Sequence, residues 1–256
     1  MTQKEKAERF RQFHVKGDPV ILFNVWDAGS AKAVEDAGAR AIATGSWSVA
    51  AAQGYFDAEA LPLNLALENV ARIVRAVDLP VTLDFEGGYA TDLATLSSNI
   101  VKVIEAGAIG INFEDQIVGG DGLYSIDEQS LRIGAIRDVA KGADVPLFIN
   151  ARTDVFLKNG PETHAAHFDE AASRAVAYAS AGASGFFAPG LKDPDLIQEI
   201  CRRSPLPVNI MVMADTPSNK EMANLGVGRI SYGPGPYRLM MEALRDAGRT
   251  AFSSLD

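Results

Sequence analysis

Leu79-Pro80-Val81-Thr82-Leu83-Asp84-Phe85-Glu86-Gly87-Gly88-Tyr89 runs from a short apolar stretch into two carboxylates and a glycine turn. The apolar part has the length of a buried strand. Asp84 and Glu86 are two residues apart, so at a strand end both point to one face. The next apolar run, residues 107–113, ends the same way, on Glu114 and Asp115. Carboxylates gathered at the ends of neighbouring parallel strands repel one another. They coexist only if solvent, protons or a cation separates them. A hard ion held by oxygen ligands and water, Mg²⁺ or Mn²⁺, is the simplest resolution.

The same unit recurs outward in both directions: apolar run, loop, amphipathic stretch, turn. Apolar runs occupy residues 20–26, 41–46, 81–86, 109–115, 147–153, 185–189, 208–213 and 229–232. Apolar spacing near 3.6 predicts helices over 31–37, 65–77, 93–106, 128–140, 168–181, 194–203, 219–225 and 237–247. Gly38, Gly107, Gly182 and Gly226 each follow the last helical residues, where a chain leaves a helix in left-handed geometry. Strands alternating with helices imply parallel strands joined by right-handed crossovers. That many units in this length predicts an α/β fold, a (β/α)8 TIM barrel, as one domain over 1–256. Residues before about 18 read as an extra N-terminal helix. A doubly wound open sheet is the alternative. Its Gly-rich first turn is absent, since the first run ends Asn24-Val25-Trp26-Asp27-Ala28-Gly29-Ser30.

Composition narrows the function class. The chain has 256 residues, 47% hydrophobic and 22% charged, with a formal net charge of −9. Without a basic stretch to neutralise phosphates, nucleic-acid binding is not expected. An anionic substrate is still compatible, because a metal and one arginine invert the potential of a pocket. No window approaches a membrane span. Cys201 is the single cysteine, so no intramolecular disulfide can form, and a reducing cytoplasm is the expected compartment. None of His14, His164 and His167 falls at a strand end, which argues against a histidine zinc site.

In a barrel of this kind the chemistry lies at the carboxyl ends of the strands. Nearly every strand end here is polar, including Asn24, Thr44, Ser46, Asp84, Glu86, Glu114, Asn150, Arg152, Asp154, Asn209 and Ser231. Arg152 is the only arginine at such an end. Its planar fork suits a carboxylate, and Asp154 or Glu114 could equally be its structural partner. Asn150 and Asn209 would either donate to the pocket or tie loops.

Four segments in order, Thr44–Asp57, Asp84–Tyr89, Asn112-Phe113-Glu114-Asp115 and Asn150-Ala151-Arg152-Thr153-Asp154, resemble the isocitrate lyase/phosphoenolpyruvate mutase superfamily. The resemblance runs from Asn24 to Tyr232. It implies a Mg²⁺ enzyme acting on 2-oxo acids or their enol forms. It also implies exchange of the last helix between subunits, giving a homodimer or homotetramer. By residue, it implies metal ligation by Asp84, Glu86 and Glu114. Glu86 stands where the superfamily often has Asp, which leaves direct and water-mediated contact open. Arg152 matches the substrate-binding arginine. Gly45, Ser46 and Trp47 match the loop that binds the pyruvate-like carboxylate, and Asp57 matches an acid near the reacting group.

The loop after the fourth strand departs from the superfamily. It reads Asp115-Gln116-Ile117-Val118-Gly119-Gly120-Asp121-Gly122-Leu123-Tyr124-Ser125, a glycine-rich lid. The Lys-Lys-Cys-Gly-His of the well-known lyases and the Lys-Thr-Asn-Ser of the phosphonomutases are both missing. Asp121 and Tyr124 are the acid–base candidates that remain on it. The expected activity is C–C cleavage of a small 2-oxo or 2-hydroxy (di)carboxylate. The alternatives are phosphonomutase-type P–C chemistry and a non-catalytic oxyacid-binding barrel.

Overall fold

The eight apolar runs become the eight strands of a parallel sheet in the computed structural model, which describes residues 1–253. They are β1 (Val20–Leu22), β2 (Ile42–Ala43), β3 (Val81–Asp84), β4 (Gly110–Glu114), β5 (Phe148–Arg152), β6 (Gly185–Phe187), β7 (Val208–Met211) and β8 (Arg229–Ser231). Their order is β1-β8-β7-β6-β5-β4-β3-β2, every neighbour parallel. Val25 brings the two ends together. Its N–H donates to Ala43 O (2.9 Å) and its carbonyl accepts from Gly45 N–H (3.2 Å). The fold is a (β/α)8 barrel. Residues 254–256 of the single domain expected over 1–256 lie outside the described residues.

The helices are α1 (Gln3–Gln12), α2 (Ala28–Asp36), α3 (Ser46–Ala52), α4 (Leu63–Ala76), α5 (Leu93–Glu105), α6 (Ile126–Gly142), α7 (Val155–Lys158), α8 (Phe168–Ser180), α9 (Pro194–Arg203), α10 (Asn219–Asn224) and α11 (Gly235–Ser253). Asp92 caps α5 through Thr95 N–H (2.8 Å), which leaves Asp84, eight residues earlier, free of any capping duty. Gly107 shows what the helix-ending glycines do. Its φ is +92°, and a Cβ there would lie 2.8 Å from Val74 Cγ1, so only glycine turns the chain from α5 into β4.

Sequence and structure differ at several places, among them α7, a short helix after β5 that no helical spacing predicts. α3 forms where the sequence predicts a loop; its N-cap is Gly45, which offers no side-chain signal. β2 correspondingly stops at Ala43. α11 runs six residues beyond the expected end at 247, to Ser253.

The core is layered. The larger cluster, with Leu96, Ile100, Phe113, Ile133 and Ile136, lies between strands and helices. A second cluster plugs the amino end of the barrel, where α1 sets Phe10 edge-on against Phe148 (5.2 Å between ring centroids). Above that plug the interior is polar. Thr82, Asn112, Asn150, Asn209, Arg229 and Ser231 are all buried, whereas such barrels usually fill these layers with Val, Ile and Leu. Arg229 on β8 donates to Asn112 Oδ1 on β4 (2.9 Å), a bond that crosses the inside of the barrel.

Candidate active site

Asp84 stands at the end of β3 with both oxygens engaged. Oδ2 accepts from Ser46 N–H (3.0 Å) and Oδ1 accepts from Asn112 Nδ2 (3.3 Å), while its own N–H donates to Thr44 Oγ1 (3.0 Å). β3 therefore presents the carboxylate, and the segment that follows β2 aims it together with β4. These bonds use one lone-pair direction on each oxygen; a carboxylate has more.

Glu86 takes a left-handed turn, φ +51°, a strained conformation for a residue with a Cβ. It is buried. Oε2 accepts from Glu59 N–H (2.8 Å) and Oε1 from Tyr89 OH (3.3 Å). Glu59 returns the contact, its carboxylate accepting from Tyr89 N–H (2.8 Å). Two loops are locked to each other by these bonds. Ala58 and Glu59 also have positive φ, 67° and 58°. Burial, then the negative charges of Asp84 and Asp57, push the Glu86 carboxyl up to about 8. Asp57 is raised by partial desolvation and by Asp84, and it accepts a hydrogen bond from the Ser46 side chain. Glu59 was not foreseen. Its role depends on contacts between distant loops, which no local motif announces.

Arg152 is shared. Its Nε and Nη2 donate to the two oxygens of Asp154 (2.6 and 2.9 Å), and Nη1 pairs with Glu114 Oε2 (2.8 Å). Burial disfavours the cation, but Glu114 and Asp154 outweigh it and hold the guanidinium charged. Three of the five donors of an arginine are thereby occupied. One N–H on each terminal nitrogen is left for a ligand. Glu114 is buried and its carboxyl is raised by desolvation against the pull of Arg152. Asp115, on the other face of β4, accepts from Arg174 Nη1 (3.1 Å), Tyr178 OH (2.8 Å) and Asp154 N–H (3.0 Å). It fastens the barrel to α8.

A cavity of about 190 Å³ opens at the carboxyl ends of the strands. Asn24, Gly45, Ser46, Trp47, Asp57, Asp84, Asn112 and Arg152 form its polar side, and Leu157, Phe187, Met211 and Pro234 its apolar side. Several expected residues stand elsewhere. Asn150 and Asn209 lie beneath this cavity rather than on its wall; they hold Asn112 and Ser231 in place (2.9 and 3.2 Å). The backbone N–H groups of Gly45 and Ser46 are already bonded, to Val25 O and Asp84. The N–H groups of this segment that lack helical acceptors are instead those of Trp47 and Ser48, in the first turn of α3. Asp121 is exposed. Tyr124 lies under the Arg132 guanidinium (4.4 Å to the ring centroid), outside the cavity wall. In this conformation the 116–125 loop folds back on itself, with Ile117 N–H donating to Gly122 O (3.2 Å).

The family model described as phosphoenolpyruvate phosphomutase matches residues 10–252. The chain belongs to that family. A solved structure from Burkholderia cenocepacia J2315, named a "putative phosphonomutase", is 50% identical over 97% of this chain and 99% of its own, with a TM-score of 0.95. The uncharacterized protein Rv1998c of Mycobacterium tuberculosis is 31% identical, covering 94% of this chain and 87% of its own. The oxaloacetate decarboxylase of Paraburkholderia xenovorans is 28% identical, covering 94% and 81%.

Members of this family are lyases and mutases, and the superfamily implies a divalent metal. Among the described residues no three His, Cys, Asp or Glu side chains converge as a ready-made cage. Mg²⁺ does not need one, since it keeps several waters and takes one or two carboxylates. The donor set is all oxygen, which suits a hard cation. Asp57, Glu86 and Glu114 are each raised, partly by the negative charge of Asp84. Such a cluster is electrostatically incomplete, and a cation beside Asp84 and Glu86 fits it.

Among the described residues no helix is long and apolar enough to cross a membrane. Cys201 is buried, and burial pushes its thiol up to about 12, as a packed, unreactive cysteine requires.

Proposed function

We propose that the protein is a Mg²⁺-dependent (or Mn²⁺-dependent) lyase that cleaves a C–C bond of a small 2-oxo or 2-hydroxy (di)carboxylate through a stabilised enolate. The observation that carries this reading is that Asp84 and Arg152 both line one small cavity at the strand ends. A bound cation would supply positive charge where electron density collects on oxygen as the bond breaks. Asp84 and Glu86 would hold it, Glu86 directly or through water, with Glu114 behind them.

The residues of the chain do the rest. Arg152, kept charged and oriented by Asp154 and Glu114, offers its two remaining N–H groups to the substrate carboxylate. The N–H groups at the start of α3 bind the same oxyacid. Asp57, raised towards neutrality and hydrogen-bonded to Ser46, is the proton carrier best supported within the cavity. Asp121 and Tyr124 could serve only after the 116–125 loop rearranges. Leu157, Phe187 and Met211 exclude water from the far end. The test is pyruvate or glyoxylate release across a panel of such acids, with Mg²⁺ and with EDTA; no turnover of any would defeat the reading.

Phosphonomutase chemistry is the second reading, favoured by the name of the 50% identical relative. Against it, no Lys-Thr-Asn-Ser stands in the 116–125 loop. Phosphorus NMR on phosphoenolpyruvate and phosphonopyruvate separates the two. Oxalate binding without turnover of either kind would favour a non-catalytic oxyacid-binding barrel.

Assembly through α11 belongs to the same proposal. Leu239, Met240, Leu244 and Phe252 on α11 are exposed, and so are Ile21 and Phe23 on the outer face of β1. The latter two line a groove of about 340 Å³ against α2. Two unpartnered apolar surfaces on one chain support α11 of a second copy covering β1, in a homodimer or homotetramer. A cytoplasmic location is in keeping with the single buried thiol.

A further inference from the structure

We propose that Arg229, buried inside the barrel beneath the site, is a positioning residue that sets the metal-binding geometry of Asp84 by locking the amide of Asn112. The inference rests on the reading of Asp84 as the carboxylate that holds the cation.

Arg229 is fully buried, and among the described residues it forms no hydrogen bond to a carboxylate. Its hydrogen-bond partners among the described residues are neutral: Nη2 donates to Asn112 Oδ1 (2.9 Å) and Nε to Ser231 Oγ (3.4 Å). Nη1 has no hydrogen-bond partner. A charge left this poorly compensated in an interior is costly, and burial lowers the guanidinium to about 9 against the pull of Asp84, the one anion that raises it. For stability alone, a Leu or Met in that layer serves better.

Asn112 connects the two charges. Its Oδ1 accepts from Arg229 and also from Asn150 Nδ2 (2.9 Å). Two donors on one oxygen leave the amide a single orientation. Its Nδ2 then faces Asp84 Oδ1 (3.3 Å). Asp84 Oδ2 is fixed separately by Ser46 N–H. With one oxygen held from the start of α3 and the other from Arg229 through Asn112, the carboxylate plane is set before any cation arrives. An apolar residue at 229 would leave Asn150 Nδ2 as the single donor to that oxygen, a weaker hold against rotation that presents the oxygen to Asp84. The polar layer of the barrel thus works as an outer shell for the site, of the kind whose loss typically weakens metal affinity 10–100-fold.

Mn²⁺ binding to the full-length protein, followed by loss of the free-ion EPR signal, tests this. R229M and N112L are each expected to raise the Mn²⁺ Kd about 10–100-fold. The double variant should be no weaker than the worse single one, because both break the same connection. R229K keeps the charge but cannot hold Asn112 and Ser231 in one fork, and it should also weaken binding; it serves as the variant should R229M not fold. Folded R229M or R229K that binds Mn²⁺ within twofold of wild type overturns the proposal, as does strict additivity in the double variant. Wild-type protein that binds no Mn²⁺ defeats the reading of the site itself, a different result from wild-type binding that the variants leave untouched.

Discussion

Replacing Glu86 with Gln should make the metal-free protein more stable at neutral pH, although a buried, hydrogen-bonded residue is being changed. Glu86 titrates at about 8 in the folded protein against an ordinary 4.5. The folded state therefore binds this proton more tightly than the unfolded state. Below about pH 4.5 the carboxyl is protonated in both states and nothing is lost. From there to about pH 8 the unfolded chain releases the proton and the folded chain keeps it, so stability falls as pH rises and then levels off. Each pH unit is worth about 1.4 kcal/mol. The deficit is then roughly 3 kcal/mol at pH 7 and approaches roughly 5 kcal/mol above pH 8. Glutamine is neutral throughout and nearly isosteric. Its oxygen can accept from Glu59 N–H, and its amide can donate to the Tyr89 hydroxyl oxygen, replacing the bonds of 2.8 and 3.3 Å. In EDTA, Glu86→Gln should raise Tm at pH 7 by roughly 6–12 °C, at about 2–4 °C per kcal/mol for a chain of this size. Its advantage should shrink towards pH 5. Adding Mg²⁺ should raise the Tm of the wild type more than that of the variant. Scanning calorimetry from pH 5 to 8, with EDTA and with Mg²⁺, reads all of this. A variant no more stable than wild type at pH 8 in EDTA would refute the reasoning.

Arg152→Lys keeps the charge and loses the fork shared by Asp154 and the substrate; Mg²⁺-dependent oxalate binding should weaken by roughly 2–3 kcal/mol in calorimetry. Tyr178→Phe removes the hydroxyl that donates to buried Asp115 (2.8 Å) and should cost about 1–3 kcal/mol in urea unfolding, while oxalate affinity stays the same. Leu244→Glu puts a charge on the exposed apolar face of α11; light scattering after size exclusion should show a smaller species than wild type, and an unchanged mass would remove α11 as the interface.

The alternation of strands and helices was legible because it rests on local rules. Apolar runs of strand length, 3.6-period stretches and glycines such as Gly107 carry their own signals. α3 carried none: Gly45 caps it without a side chain, and its Ala-rich turns look like a permissive loop. The position of Asp84 at a strand end could be read, because the rule of two residues per strand repeat sets its face. Height inside the barrel could not. Asn150 lies one side-chain layer below the cavity and Arg152 at its rim, although they are neighbours but one in β5. Glu59 and Arg229 act through contacts with residues 27 and 117 positions away. Arg229 did leave a trace, a charged residue inside the apolar run of β8. That residue opens its strand, at the end opposite the chemistry, where a reading of the carboxyl ends does not reach.

Oxalate resembles the enolate of a small 2-oxo acid, and its titration into the protein with and without Mg²⁺ tests the central claim most directly. The account predicts binding that depends on the cation and is lost in EDTA. Equal affinity in both conditions would contradict it.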